Sequence, residues 1–179
     1  MFPGESRPTQ LHLRPSWLLD IPRLYSPTQG IPRLLHPWVG IDVSSTVASQ
    51  PGDQNSPFYL KYDTVHTGTP GWSLHFTQTD TTGPTNKIAY VSGATAGTWT
   101  HLVGTFDATT DTGRLYVNGS LAATVTGVTP WASTGPFTVG SAKYNGAVSD
   151  YFPGTVSDVQ AWNYNLDADQ VTALYDQIP

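Results

Sequence analysis

The chain has 179 residues, a formal net charge of -5, only 12% charged residues and no cysteine. That length holds one domain with a sizeable core and not two of ordinary size. The charge argues against nucleic acid as a partner, since phosphate binding needs clustered Lys and Arg, and the lack of Cys excludes disulfides, thiolate metal sites and Cys nucleophiles.

Residues 1–41 carry seven of the 15 prolines: Pro3, Pro8, Pro15, Pro22, Pro27, Pro32 and Pro37. Proline at this density argues against a helix and against a central strand, because it removes a backbone donor and fixes φ. Apolar residues are interleaved, as in "SWLLDIPRLY" and "IPRLLHPWVGI", without a period of 2 or 3.6. The segment therefore reads as an irregular N-terminal arm, separate from a domain at 42–179. Three readings stay open for it: apolar anchors packed on the body, a docking arm, or a truncated or frame-altered beginning. "MFPGESRPTQ" does not read as a secretory leader, and no apolar run reaches the roughly 18 residues of a membrane helix.

From residue 42 the pattern is all-β. "STVASQ", "PFYLKYD", "WSLHFTQT", "KIAYVSG", "TWTHLVGTFD", "GRLYVNG", "SLAATVTG", "FTVGSAKY" and "GTVSDVQAWNY" are short and rich in Thr, Val and aromatics. Turn-forming Gly, Pro, Asn or Asp separates them, which predicts an antiparallel sandwich or barrel. Asn118-Gly119 supplies the two positive-φ positions of a type I′ hairpin turn. In the strand before it, Leu115 and Val117 share one face and Tyr116 takes the other. The end, "LDADQVTALYDQI", predicts a helix with Asp167 as N-cap, Gln170 closing a capping box, and a Leu166–Val171 staple. Val171, Leu174 and Tyr175 give it one apolar stripe for docking on a sheet.

"GTWTHLVGTFDATTDTGRLYVNGSLAATVTG", "FTVGSAKYNG" and "YFPGTVSDVQAWNYNLDADQVTALY" resemble a laminin-G-like domain of the concanavalin A-like lectin/glucanase superfamily. The resemblance runs from about Ser45 to Tyr175. It is carried by Trp99, His101, Leu102, Val103, Phe106 and Asp107, by the L-Y-V-N-G hairpin, and by the closing G-x-V-S-D-V-x-x-W-N-x-x-L. It implies two antiparallel sheets in a jelly-roll sandwich with a short C-terminal helix. It also implies a module that binds glycans or proteins, sometimes with calcium, within larger secreted or surface proteins, often bacterial ones. The family's opening strand has no good counterpart here; "HPWVGIDVS", with Trp38 and Val39 on an edge, is a degenerate substitute.

Glucanases on this sandwich use two carboxylates, about 5 to 5.5 Å apart when the mechanism is retaining. The chain has one Glu, Glu5, so no Glu pair exists. Asp167 and Asp169 sit where they favour a helix N-terminus. No G-x-S-x-G elbow appears, and His101 reads as a sheet-face residue. Calcium takes oxygen ligands from loops, which makes Asp53 and Asn55 in "PGDQNSP", with Asp158, the candidate metal ligands. For a glycan, exposed rings beside polar groups are wanted. Trp72, Trp131, Tyr144 and Tyr151 are the aromatic candidates, with Lys143, Asn145 and Asp150 in "KYNGAVSDYF". The ligand set taken from these is Trp131, Tyr144, Asn145, Asp150 and Tyr151. The expectation is a non-catalytic, extracellular binding module; an Asp-based polysaccharide hydrolase and a purely structural spacer are the alternatives.

Overall fold

The alternating strands pair into two antiparallel sheets stacked face to face. The structure is a computed structural model that describes residues 17–25, 44–65, 68–95 and 97–178. The first sheet joins β1 (Trp17–Tyr25), β6 (Trp99–Asp107), β7 (Thr112–Val117), β8 (Ser120–Thr126), β12 (Thr155–Ser157) and β13 (Gln160–Trp162). Its order is β12-β1-β6-β7-β8, with β13 also on β1. The second has the order β5-β4-β3-β2-β9 and is built from β2 (Ser45–Ser49), β3 (Phe58–Asp63), β4 (Gly71–Thr77), β5 (Asn86–Ser92) and β9 (Thr138–Val139). A separate hairpin joins β10 (Ala142–Tyr144) and β11 (Ala147–Ser149).

Period 2 decides what fills the space between the sheets. Val47, Phe58, Leu60, Trp72, Leu74 and Phe76 point inward from the five-stranded sheet, against Leu102, Phe106 and Leu115 of the other. Trp72 is thus 3% exposed and stands edge-on to Tyr62. It lies at a strand end as expected, but its expected openness to a ligand is corrected: an even offset from Leu74 turns it into the core. Two glycines let the sheets close. A Cβ on Gly104 would lie 3.1 Å from Leu74, and one on Gly113 would run into the Phe76 ring.

The predicted hairpin forms as read, with Asn118 at φ 50 and Gly119 at φ 77. Leu115 and Val117 face the core, and Tyr116 faces the far side. There α1 (Ala168–Asp176) docks. Asp167 caps it, Gln170 closes the capping box, and Leu166 and Val171 pack with Val103 and Tyr116. Tyr175 stacks on His101 with ring centroids 5.6 Å apart, and Thr172 Oγ1 donates to the Gly119 carbonyl at 3.1 Å. His101 therefore helps to seat the helix, its ring 2% exposed within the sheet face.

The arm is not irregular throughout. Residues 17–25 form β1, between β6 on one side and β12 and β13 on the other. The expectation that proline excludes an interior strand fails at Pro22 for a local reason. The register with β6 jumps between Ile21 and Leu24, a bulge that needs no donor from Pro22. On the opposite side β13 pairs with Leu18–Asp20 and β12 with Arg23–Tyr25, so Pro22 falls in the gap between them. Trp38, Val39 and Glu5 lie outside the described residues.

Candidate functional site

On the two central strands β3 and β4 of the five-stranded sheet the outward-facing residues are polar, yet buried. On β3 these are Tyr59, Lys61 and Asp63; on β4 they are Ser73, His75 and Thr77. Tyr59 is 3% exposed, Lys61 8%, Asp63 0% and His75 5%. Buried polar groups need partners, and here they find one another. Asp63 accepts a hydrogen bond from Ser73 Oγ at 3.0 Å and lies 2.9 Å from His75 Nε2. Its other oxygen accepts the Val65 N–H at 2.9 Å. Lys61 Nζ lies 2.5 Å from Asp150 Oδ2 and 5.5 Å from the Tyr59 ring centre. The Tyr59 hydroxyl accepts the Ser56 N–H and donates to the Lys143 carbonyl at 2.8 Å. Burial pushes the Tyr59 phenol far above its ordinary pKa, so it remains a neutral donor.

A concavity of about 230 Å³ opens over this face, lined by Ser44, Tyr59, Lys61, Val65, His75, Asn86, Tyr144 and Asp150. Lys61, Asp150 and His75 are fixed by ion-pair or hydrogen-bond partners. The Tyr144 ring stands at the rim, 38% exposed. This arrangement offers an aromatic surface beside groups whose positions are already set.

The structure brings together two of the expected ligand residues, Tyr144 and Asp150. Tyr151 follows Asp150 on the chain and is 67% exposed, outside the lining. Asn145 is a turn residue, at φ 48 beside Gly146 at φ 82, and repeats the Asn-Gly signature of the other hairpin. Its Oδ1 accepts the Gly83 N–H at 2.7 Å, so its amide is tied to a neighbouring loop. Trp131 lies away from the concavity. Its Nε1 donates to the Thr77 carbonyl at 3.0 Å, and its ring covers Gly52, where a Cβ would come within 2.6 Å.

The expected metal ligands come from two parts of the fold. Asn55 is fully buried; its amide donates to the Thr81 carbonyl at 2.7 Å and its oxygen accepts the Asn145 N–H at 3.1 Å. Asp53 is exposed on the same loop, while Asp158 occupies the break between β12 and β13 of the other sheet at φ 53. No group of three or more His, Asp or Glu suited to a metal occurs among the described residues. What organises the loop is Asp80, whose carboxylate accepts the N–H groups of Asp53, Gln54 and Asn55 at 2.7 to 2.9 Å. Burial opposes its ionisation, but the three amides and the nearby Lys143 outweigh that and hold its pKa below the ordinary value.

Sequence reasoning missed Lys61, His75 and Asp80. The signal for the first two was the alternation of "FYLKYD" and "WSLHFT", which sets Lys61 and His75 on one face. Asp80 carried no local signal beyond its place in a turn.

Similarity to known proteins agrees with this architecture. A family model of the laminin G type, described as the concanavalin A-like lectin/glucanases superfamily, matches residues 37–172. The chain belongs to this superfamily. Among solved structures, a heptameric SAP-like pentraxin from Limulus polyphemus is similar at 19% identity and a TM-score of 0.65, over 97% of this chain and 79% of that one. The CBM40 of the Ruminococcus gnavus IT-sialidase, bound to α2,3-sialyllactose, is similar at 17% identity and 0.64, over 89% and 82%. The binding domain of botulinum neurotoxin DC, in complex with SialylT, is similar at 11% and 0.60, over 92% of this chain and 36% of that one. At these identities the likeness is one of fold. No curated protein matches the chain by sequence.

Proposed function

We propose that the chain is a non-catalytic carbohydrate-binding module of a secreted or surface protein, and that it binds its glycan in the concavity over β3 and β4. The observation that carries this reading is the Tyr144 ring beside fixed polar groups, on a fold shared with a CBM40 bound to sialyllactose. A sugar needs such a combination: C–H faces pack on a ring while hydroxyls exchange hydrogen bonds with positioned side chains. Binding without hydrolysis is favoured because both nearby carboxylates are engaged. Asp150 is paired with Lys61, and Asp63 with His75 and Ser73. A general acid and base must instead exchange protons with the substrate. Among the described residues no helix is long and apolar enough to cross a membrane.

A glycan array followed by calorimetry tests the reading. The native chain should bind at least one class of oligosaccharide without releasing sugar. Tyr144→Ala should weaken that binding by about tenfold, the size expected for removing one stacking ring. Its unfolding midpoint should hardly move, because the ring is already 38% exposed. Unchanged affinity in a folded Tyr144→Ala protein would remove the concavity as the site. Silence across the array would leave the spacer reading standing.

A further inference from the structure

We infer that the concavity selects uncharged sugars over acidic ones, an inference that rests on the glycan-binding reading above. A ligand carboxylate needs a cation that is not already neutralised. Among the described residues the lining has one lysine, Lys61, which Asp150 holds at 2.5 Å, and one histidine, His75, which Asp63 engages at 2.9 Å. The side chains of the Lys61–Asp150 pair are 10% and 25% exposed. Arg23 lies on β1 of the other sheet, and Lys143, Lys87 and Arg114 stand away from the lining. Lys143 Nζ donates to the Gly52 carbonyl at 3.3 Å. Lys87 Nζ lies beside Gly127, and Arg114 is on β7 of the other sheet.

An acidic sugar would therefore have to take Lys61 from Asp150, leaving a poorly solvated aspartate beside the incoming anion. Breaking a largely buried pair by displacing one partner is strongly unfavourable. A neutral sugar meets no such obstacle. Its hydroxyls can donate to the second Asp150 oxygen and bond with Ser44 and Asn86, while its ring lies on Tyr144. Selectivity thus comes from a charge already satisfied inside the protein, which rejects the wrong ligand without contacting it.

The test uses matched glycans on the full chain: lactose against 3′-sialyllactose, and neutral oligosaccharides against their uronic counterparts, titrated by calorimetry. The native protein should bind the neutral member at least tenfold more tightly. Asp150→Asn should bring that ratio below about threefold or reverse it, because Lys61 is then unpaired. Asparagine suits the position, whose φ of 55 it tolerates well. Should that variant not fold, Lys61→Gln serves instead and should deepen the rejection of acidic members. Equal or tighter binding of acidic members by the native protein would overturn the inference and leave glycan binding intact. So would an unchanged ratio in folded Asp150→Asn. Absence of binding to either class would overturn the glycan reading together with the inference.

Discussion

Asp80 shows how one side chain can organise a loop without secondary structure. The three N–H groups it accepts belong to consecutive residues, Asp53, Gln54 and Asn55, so they converge as a small anion-binding nest. Asn55, held there, in turn ties the β10–β11 hairpin through Asn145. Losing the carboxylate orphans several donors at once, so Asp80→Ala should cost roughly 1–3 kcal/mol in chemical unfolding near neutral pH. The pH dependence has a definite sign. A carboxyl with a depressed folded-state pKa stabilises the fold above its unfolded pKa. That stability is lost as pH falls through the folded-state value. Native stability should therefore decline on acidification through and below the ordinary carboxylate range, and Asp80→Asn should decline less. Some slope remains in the variant, because amide and hydroxyl bonds from Thr109 and Thr110 depress Asp107 as well. An Asp80→Asn profile parallel to the native one would refute this role.

At the scale of elements, β1 has the largest effect on the sheet that contains it. It covers one edge of β6 along Trp99–Phe106 and is the strand on which β12 and β13 both pair. Deleting residues 1–41 should lower the thermal midpoint sharply, by well over ten degrees or to loss of cooperative unfolding, since an interior strand goes and a long β6 edge opens. An unchanged midpoint would show that β1 adds nothing to stability. This element was not legible in the sequence, whereas most others were. The Asn118-Gly119 hairpin and the Asp167 capping box are determined within a few residues, and those local signals survive folding. Pro22 is different: its missing donor matters only if a neighbour faces it, and that depends on a bulge and on a gap between two short strands over a hundred residues later. The candidate site failed to show for the same reason. Lys61 and His75 look like ordinary solvent-facing residues of alternating strands. Their burial follows from long-range packing, for Lys61 with Asp150 above all.

For the whole molecule, the sandwich keeps its packed faces apart from the proposed binding face. One face of the six-stranded sheet is closed by α1, both inner faces form the core, and the outer face of the five-stranded sheet carries the concavity. The groups over that face are fixed by an ion pair and a His–Asp contact, and Asn55 is already committed to Thr81 and Asn145. Glycan affinity should accordingly survive exhaustive chelation with EDTA. A loss on chelation that added calcium restores would return Asp53 and its loop to a metal-binding role.

The seat of β1 also bears on the order of events as the chain is made. Its residues are made before those they pair with, residues 99–106 and 155–162. Until those arrive the strand has nothing to pair with, and β6 to β8 can assemble before it with one flank open. Contacts so distant in sequence carry a large closure entropy and make for slow folding. The last hydrogen bonds of the sheet thus join strands far apart in the chain, and the nascent protein is most exposed to pairing with a second copy in the interval before they form.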